Sequence, residues 1–192
     1  MRRVSRIGMV VAAVLLGVPF LRPLWHIGLI APQYPEGLGL YIWINQITGQ
    51  KPQDLDSING LNHYIGMKEI IPESIPELRF MPYLVGGLLV LGLLTALAGK
   101  RPLLYVWTGL FVLLSIAGLA DFWKWGYDYG HNLDPTAAIR VPGMAYQPPL
   151  IGAKQLLNFY ATSWPAAGGW ALMLSLGIGV GLCVLERRSV PA

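Results

Sequence analysis

Residues 83–120 read YLVGGLLVLGLLTALAGKRPLLYVWTGLFVLLSIAGLA, and this stretch decides the fold. It holds two apolar runs, 83–99 and 102–120, which only Lys100 and Arg101 interrupt. A helix needs about 20 apolar residues to cross the hydrocarbon layer of a bilayer. The stretch therefore predicts two transmembrane helices joined as a tight hairpin.

Two further apolar runs cover residues 7–21 and 166–185, so we expect four transmembrane helices in all. The composition agrees, because 12% of the residues are charged, whereas soluble domains carry about 25%. The first run follows a basic start and is typical of either a signal peptide or an anchor. No small-x-small cleavage site follows Leu21, and this favours the anchor.

The basic residues predict the orientation of the chain. Seven of them flank the apolar runs on one side, where only Glu186 opposes them. They are Arg2, Arg3, Arg6, Lys100, Arg101, Arg187 and Arg188. By the positive-inside rule this side is cytoplasmic. We therefore expect a multi-pass protein of the bacterial inner (cytoplasmic) membrane, with the N- and C-termini both in the cytoplasm.

The predicted fold is an all-α membrane protein with four transmembrane helices and two ordered, proline- and aromatic-rich extracytoplasmic loops. The segments are 1–22 (cytoplasmic start and first transmembrane helix), 23–82 (first loop), 83–120 (the hairpin), 121–165 (second loop) and 166–192 (fourth transmembrane helix and cytoplasmic tail). Neither loop has a hydrophobic core of its own. We therefore expect the two loops to fold together over the outer face of the membrane.

Three short segments of the loops have helical patterns. Apolar residues recur at helical spacing within 38–48, which predicts an interfacial helix. A second helix is expected within 59–70, with Ser57 or Asn59 as its cap, and a third within 152–163. The proline-rich remainder of the second loop is expected to be irregular chain.

Small residues line the last apolar run at four-residue spacing. They are Ala171, Ser175 and Gly179, with Gly177 and Gly181. Small residues let helices approach closely in lipid. The pattern favours packing within this bundle, with association with another subunit as the alternative.

The sequence lacks the motifs of several functional classes. There is no phosphate-binding glycine loop, metalloprotease helix, Gly-x-Ser-x-Gly elbow or cysteine nucleophile, so we do not expect an enzyme. The formal net charge is +4, but the basic residues lie at lipid borders and the loops are net acidic, which argues against nucleic-acid binding. The single cysteine, Cys183, lies in the last apolar run, so the loops have no thiolate ligand.

Histidine and methionine are the candidate metal ligands. All three histidines fall in the predicted outer loops, and thioether and imidazole groups suit copper, Cu(I) especially. His63 and Met67 are four residues apart and would share one face of a helix, while His131 and Met144 are a second candidate pair. The alternative is that the methionines fill apolar gaps. The loop carboxylates are expected to be solvated or paired with Lys and Arg.

Four strings carry a resemblance to a known family. They are APQYPEGL (31–38), NGLNHYIGM (59–67), YGHNLDP (129–135) and GMAYQPPLIG (143–152). With them, nearly the whole chain resembles a small family of bacterial membrane proteins similar to those encoded among nitrous-oxide-reductase accessory genes. Nitrous oxide reductase is an exported copper enzyme whose metal sites are filled outside the cytoplasm. The resemblance therefore implies a role near that enzyme or its assembly and transporter proteins.

The leading hypothesis is an accessory factor that delivers copper to, or assembles, an extracytoplasmic metalloenzyme, with nitrous oxide reductase as the implied partner. The alternative is a metal-free membrane scaffold or transporter partner subunit that docks a permease or a periplasmic protein. Copper binding by the purified chain separates the two hypotheses, because only the first requires a metal site.

Overall fold

The computed structural model describes residues 1–188 and contains, in that part of the chain, five α-helices and five β-strands. The helices are α1 (Arg3–Leu15), α2 (Asp54–Ile65), α3 (Glu77–Ala98), α4 (Arg101–His131) and α5 (Ala167–Arg187). All but α2 are long and apolar enough to cross a membrane, α1 together with the 3₁₀ turn Val18–Phe20 that follows it. The four predicted long apolar helices are thus confirmed.

The turn between α3 and α4 has the sequence signals of a tight hairpin. Gly99 ends α3 with φ +62°, a left-handed conformation that glycine adopts without strain, and Pro102 lies in the first turn of α4. The guanidinium of Arg6 donates to the carbonyl oxygens of Ala96 and Leu97, both at 2.9 Å. The start of α1 therefore caps the end of α3.

The bundle core is built around Trp107 of α4, which is fully buried. Its indole N–H donates to the Leu88 carbonyl oxygen of α3 at 2.8 Å. Helix α1 also contributes fully buried residues to this core, Met9 and Ala12 among them. Ser175 of α5 donates to the Ala12 carbonyl oxygen at 2.7 Å. Helix α1 is therefore packed as part of the bundle.

The small residues of α5 divide between two faces. Ala171, Ser175 and Gly179 are buried inside the bundle, whereas a Cβ added at Gly177 or Gly181 would meet no atom within 4 Å. Packing within the bundle thus accounts for the first three residues. The two outward glycines leave an open stripe on the helix.

The predicted all-α class is wrong, because the two loops form one antiparallel sheet. Its strands are β1 (Trp25–Ala31), β2 (Tyr34–Ile42), β3 (Ile47–Gly49), β4 (Gly152–Leu156) and β5 (Phe159–Pro165), in the order β3-β2-β1-β5-β4. Strand β1 of the first loop pairs with β5 of the second, from Trp25 opposite Pro165 to Ile30 opposite Tyr160. The two loops therefore fold together, as expected.

Two of the predicted loop helices are strands instead. The interfacial helix predicted within 38–48 is the end of β2 and β3, and the helix predicted within 152–163 is the hairpin of β4 and β5. Phe159, Ala161 and Ser163 are buried at every second position of β5, which is the period of a strand and not of a helix. Pairing within the sheet decides these conformations, and the central pair, β1 and β5, is distant in sequence.

The remaining loop helix is present but shifted. Helix α2 covers Asp54–Ile65 rather than 59–70, and neither Ser57 nor Asn59 caps it. Asn59 instead exchanges two hydrogen bonds with the backbone of Ile70, at 2.8 and 3.1 Å. Gly66 ends the helix with φ +80°. The chain after Gly66 therefore turns back along α2 instead of continuing it.

Candidate functional site

The ends of α2 and α4 meet at a junction between the two loops. The Asp134 N–H donates to the Gly66 carbonyl oxygen at 2.8 Å, and the Ile139 N–H donates to the Tyr64 carbonyl oxygen at 2.9 Å. A Cβ on Gly66 would lie 2.9 Å from the Asp134 carbonyl oxygen. Glycine is therefore required here both for its positive φ and for the close approach of the second loop.

A second junction joins the end of α4 to the chain that leads into β4. The Tyr146 N–H donates to the Gly130 carbonyl oxygen at 2.9 Å. A Cβ on Gly130 would overlap the backbone of Gln147. This junction places Tyr146 and Gln147 against the last turn of α4, which includes His131.

His63 and Met67 do not share a helical face. Helix α2 ends at Ile65, so Met67 lies beyond the left-handed Gly66. The His63 side chain is exposed, while Met67 is half-buried and faces the apolar cavity described below. The prediction that these two side chains share a helical face is therefore wrong, although both residues lie at the first junction.

His131 follows Gly130 at the second junction, and Met144 lies two residues before Tyr146. The His131 ring stacks on Tyr127 with 3.9 Å between ring centroids, and its Nδ1 lies 3.1 Å from the Tyr127 carbonyl oxygen. This bond leaves Nε2 of the exposed imidazole available to a ligand or metal. Met144 is half-buried in a turn in which its N–H donates to the Val141 carbonyl oxygen at 3.1 Å.

Asp134 is an acidic residue of the first junction and one of the loop carboxylates expected to be solvated or paired. Its Oδ1 accepts hydrogen bonds from the Thr136 hydroxyl and the Thr136 N–H, at 2.6 and 2.7 Å. These bonds, and then the nearby His63 imidazole, hold the pKa of Asp134 below its ordinary value. The string Asp134-Pro135-Thr136 is an Asx-turn signal that could have identified it.

The oxygen and nitrogen ligands do not form a closed metal site. Within residues 1–188, no three His, Cys, Asp or Glu side chains are close enough together to hold a metal ion. A copper site formed by the segments of the two junctions would therefore depend on the thioethers of Met67 and Met144.

An apolar cavity of about 90 Å³ lies beside the junction, between the sheet, α2 and α4. It is partly open to the surface. Aliphatic and aromatic side chains form most of its wall, including those of Ile27, Leu40, Ile58, Ile65, Phe159 and Ala161. Helix α4 contributes Trp125 and Tyr129, and the second junction contributes Tyr146.

Two polar atoms of the wall residues are buried, and one of them lacks a hydrogen-bond partner. The Tyr146 side chain is 3% exposed, and its hydroxyl is buried without a partner. The Trp125 indole N–H is also buried, and the Tyr129 hydroxyl oxygen is the acceptor beside it. The Tyr129 ring packs on Trp125, and the Tyr129 hydroxyl also donates to the Glu69 carbonyl oxygen at 3.3 Å. Sequence patterns gave no signal for this cavity, because its wall comes from six separate segments.

No model of a known protein family matches the chain, and no curated protein matches it either.

Proposed function

We propose that this protein is an accessory factor of the bacterial inner membrane that helps deliver copper to, or assemble, an extracytoplasmic metalloenzyme. One observation carries the proposal: backbone hydrogen bonds join the segments that hold His63, Met67, His131 and Met144 at one end of the molecule. The resemblance of the four strings to nitrous-oxide-reductase accessory proteins makes that copper enzyme the proposed partner.

The chemistry of the junction suits a metal that is passed on rather than kept. Imidazole and thioether are ligands for Cu(I), and both histidines are exposed, so an incoming partner can exchange ligands with them. The Asp134 carboxylate beside His63 adds a negative charge that favours a cation. An open, incomplete ligand set binds more weakly than a caged site, which a delivery step requires.

The test is a competition titration of the purified full-length chain with a coloured Cu(I) chelator under reducing conditions. We expect His63→Ala and Met67→Leu each to weaken Cu(I) binding about tenfold or more, since loss of even an outer-shell partner of a metal site costs about 10- to 100-fold. The control is the pair His26→Ala and Met81→Leu, which removes the same two side-chain types elsewhere. The copper proposal fails if the wild-type chain binds no Cu(I), or if the control weakens binding equally.

The metal-free scaffold remains a second candidate, favoured by the outer face of the sheet. Ile30, Tyr160 and Trp164 lie on that face and are 49, 43 and 49% exposed. Tyrosine and tryptophan are enriched in protein interfaces. The occupant would be a permease or an exported protein. If Tyr160→Ser with Trp164→Ser lowers the copper content of the enzyme in cells while a wild-type chain binds no Cu(I), the scaffold function replaces the copper function.

A further inference from the structure

One end of the helix bundle, which we call the basic end, contains half of the cationic residues of the chain. Helices α1 and α4 begin at this end, and α3 and α5 end there. Seven of the 14 Lys and Arg residues belong to it, and Glu186 is the one acidic side chain among them. The seven are Arg2, Arg3, Arg6, Lys100, Arg101, Arg187 and Arg188.

The Glu186 carboxylate brings three of these segments together. It accepts hydrogen bonds from the Arg2 backbone N–H and from Arg101 Nε, both at 2.7 Å. Lys100 directly precedes Arg101, and Arg187 directly follows Glu186. The start of α1, the turn between α3 and α4 and the end of α5 therefore meet around one carboxylate, and their cations are grouped.

Most of the cations of the basic end have no partner within the protein. The Arg6 guanidinium donates to carbonyl oxygens of α3, and Arg101 pairs with Glu186. Over residues 1–188, the other five side chains are exposed and make no hydrogen bond or ion pair: Arg2, Arg3, Lys100, Arg187 and Arg188. Like charges repel one another. An anion from outside the chain would therefore stabilise this group.

Apolar side chains beside the cations distinguish a lipid from a soluble anion. Val4, next to Arg3, is 69% exposed, and Leu97, three residues before Lys100, is 72% exposed. Val184, near the end of α5, is 46% exposed. All three belong to helices that are long and apolar enough to cross a membrane. A ligand that contacts both kinds of side chain needs an anionic head and a hydrocarbon tail, as an anionic phospholipid has.

We propose that the basic end binds anionic phospholipids, with the phosphate oxygens accepting hydrogen bonds from the five unpaired cations. Arginine can donate two parallel hydrogen bonds to a phosphate, and lysine acts there as a point charge. The acyl chains lie along the exposed apolar side chains of α1, α3 and α5. The proposal is independent of copper and of which side of the membrane the basic end faces.

The test is binding of radiolabelled lipid to the immobilised full-length chain in a neutral detergent. Phosphatidylglycerol is compared with phosphatidylcholine of the same acyl chains, and inorganic phosphate is the competitor at matched ionic strength. We expect phosphatidylglycerol to bind at least about tenfold more tightly, since each cation near an anionic lipid contributes roughly fivefold in affinity. Inorganic phosphate should not displace it, because phosphate lacks the acyl chains.

A triple variant tests the role of the three segments. It combines Arg2→Gln, Lys100→Gln and Arg188→Gln, which removes one exposed cation from each segment and leaves the bonds of Glu186 in place. We expect it to bind phosphatidylglycerol at least about tenfold more weakly, by the same contribution per cation. The control combines Lys51→Gln, Arg140→Gln and Lys154→Gln, which removes equal charge from exposed loop positions and should leave binding unchanged.

Salt provides a second measurement that needs no variant. Raising sodium chloride from about 0.1 to about 1 M shortens the Debye length from about 10 to about 3 Å. It should weaken binding of phosphatidylglycerol to the wild-type chain and leave that of phosphatidylcholine unchanged, even if the triple variant does not fold. Equal binding of the two lipids, displacement by inorganic phosphate, or undiminished binding by a folded triple variant would overturn the proposal.

Discussion

Glu186 shows how a single residue can close one end of the bundle. Its carboxylate is fully buried, yet it lies among the basic residues that flank the apolar runs. Oε2 accepts from Arg101 Nε and Oε1 accepts from the Arg2 N–H, both at 2.7 Å. One carboxylate therefore holds the start of α1, the start of α4 and the end of α5 together.

We predict that Glu186→Gln lowers the free energy of unfolding by roughly 1–3 kcal/mol. Breaking a fully buried ion pair costs about 3–5 kcal/mol, and the cost is smaller here because the Arg101 side chain is 36% exposed and can be solvated. Thermal unfolding of the purified protein in detergent measures the change. Arg187→Gln, at the exposed neighbouring position, is the control and should have little effect. Equal effects of the two substitutions would contradict the role of Glu186.

At the candidate site, residue types could be predicted from the sequence but their arrangement could not. The presence of the histidines and of Met67 and Met144 in the loops follows directly from the positions of the apolar runs. The shared helical face of His63 and Met67 does not exist, because the left-handed Gly66 reverses the chain between them. A glycine at that position is compatible with either outcome. The Met67 N–H donates to the Asn62 carbonyl oxygen across Gly66, and the Gly66 carbonyl oxygen accepts from the Asp134 N–H, so a local bond and a distant contact together select the turn.

Among the elements, the long helices were predictable and the strands were not. A run of about 20 apolar residues has one stable solution in lipid, so the helices can be located from composition alone. Strand β2 is glycine-rich, and its aromatic and aliphatic residues satisfy helical spacing as well as alternation. Strand β1 pairs with β5 across more than 100 residues, from Trp25–Pro165 to Ile30–Tyr160. No local pattern encodes that pairing.

The inward Gly179 and the outward Gly177 of α5 should respond differently to the same substitution. A Cβ on Gly179 would lie 2.5 Å from Trp107 Cζ3, whereas one on Gly177 would meet nothing within 4 Å. The Trp107 ring is fully buried and cannot move aside easily. We therefore expect Gly179→Val to destabilise the bundle by about 1–3 kcal/mol, as overpacking does.

Gly177→Val is the matched control, because it makes the same change on the same helix at an open position. Thermal unfolding in detergent compares the two variants. A destabilisation by Gly177→Val as large as that by Gly179→Val would mean that the inward face of α5 is not the one that contains Gly179.

Across the whole molecule, the sheet connects the two halves of the chain. Strand β1 follows α1 and its 3₁₀ turn, and β5 leads directly into α5. Trp25 and Pro165 pair at the end of the sheet nearest these helices. Helix α4 has 31 residues, about 46 Å at 1.5 Å per residue, which exceeds the ~30 Å hydrocarbon layer. The helix is therefore longer than a bilayer span requires, and its last turns form one wall of the cavity.

This arrangement predicts that both loops lie on the same side of the membrane, and the basic borders predict that this side is extracytoplasmic. In a Cys183→Ser background, single cysteines at the exposed positions Gln53 and Ala138 should react with a membrane-impermeant maleimide in intact spheroplasts. Lys100→Cys, exposed at the opposite end of the bundle, should react only after lysis. Because β1 and β5 form one sheet, labelling of only one loop site before lysis would contradict the fold. Protection of both loop sites until lysis, with early reaction at position 100, would instead reverse the orientation.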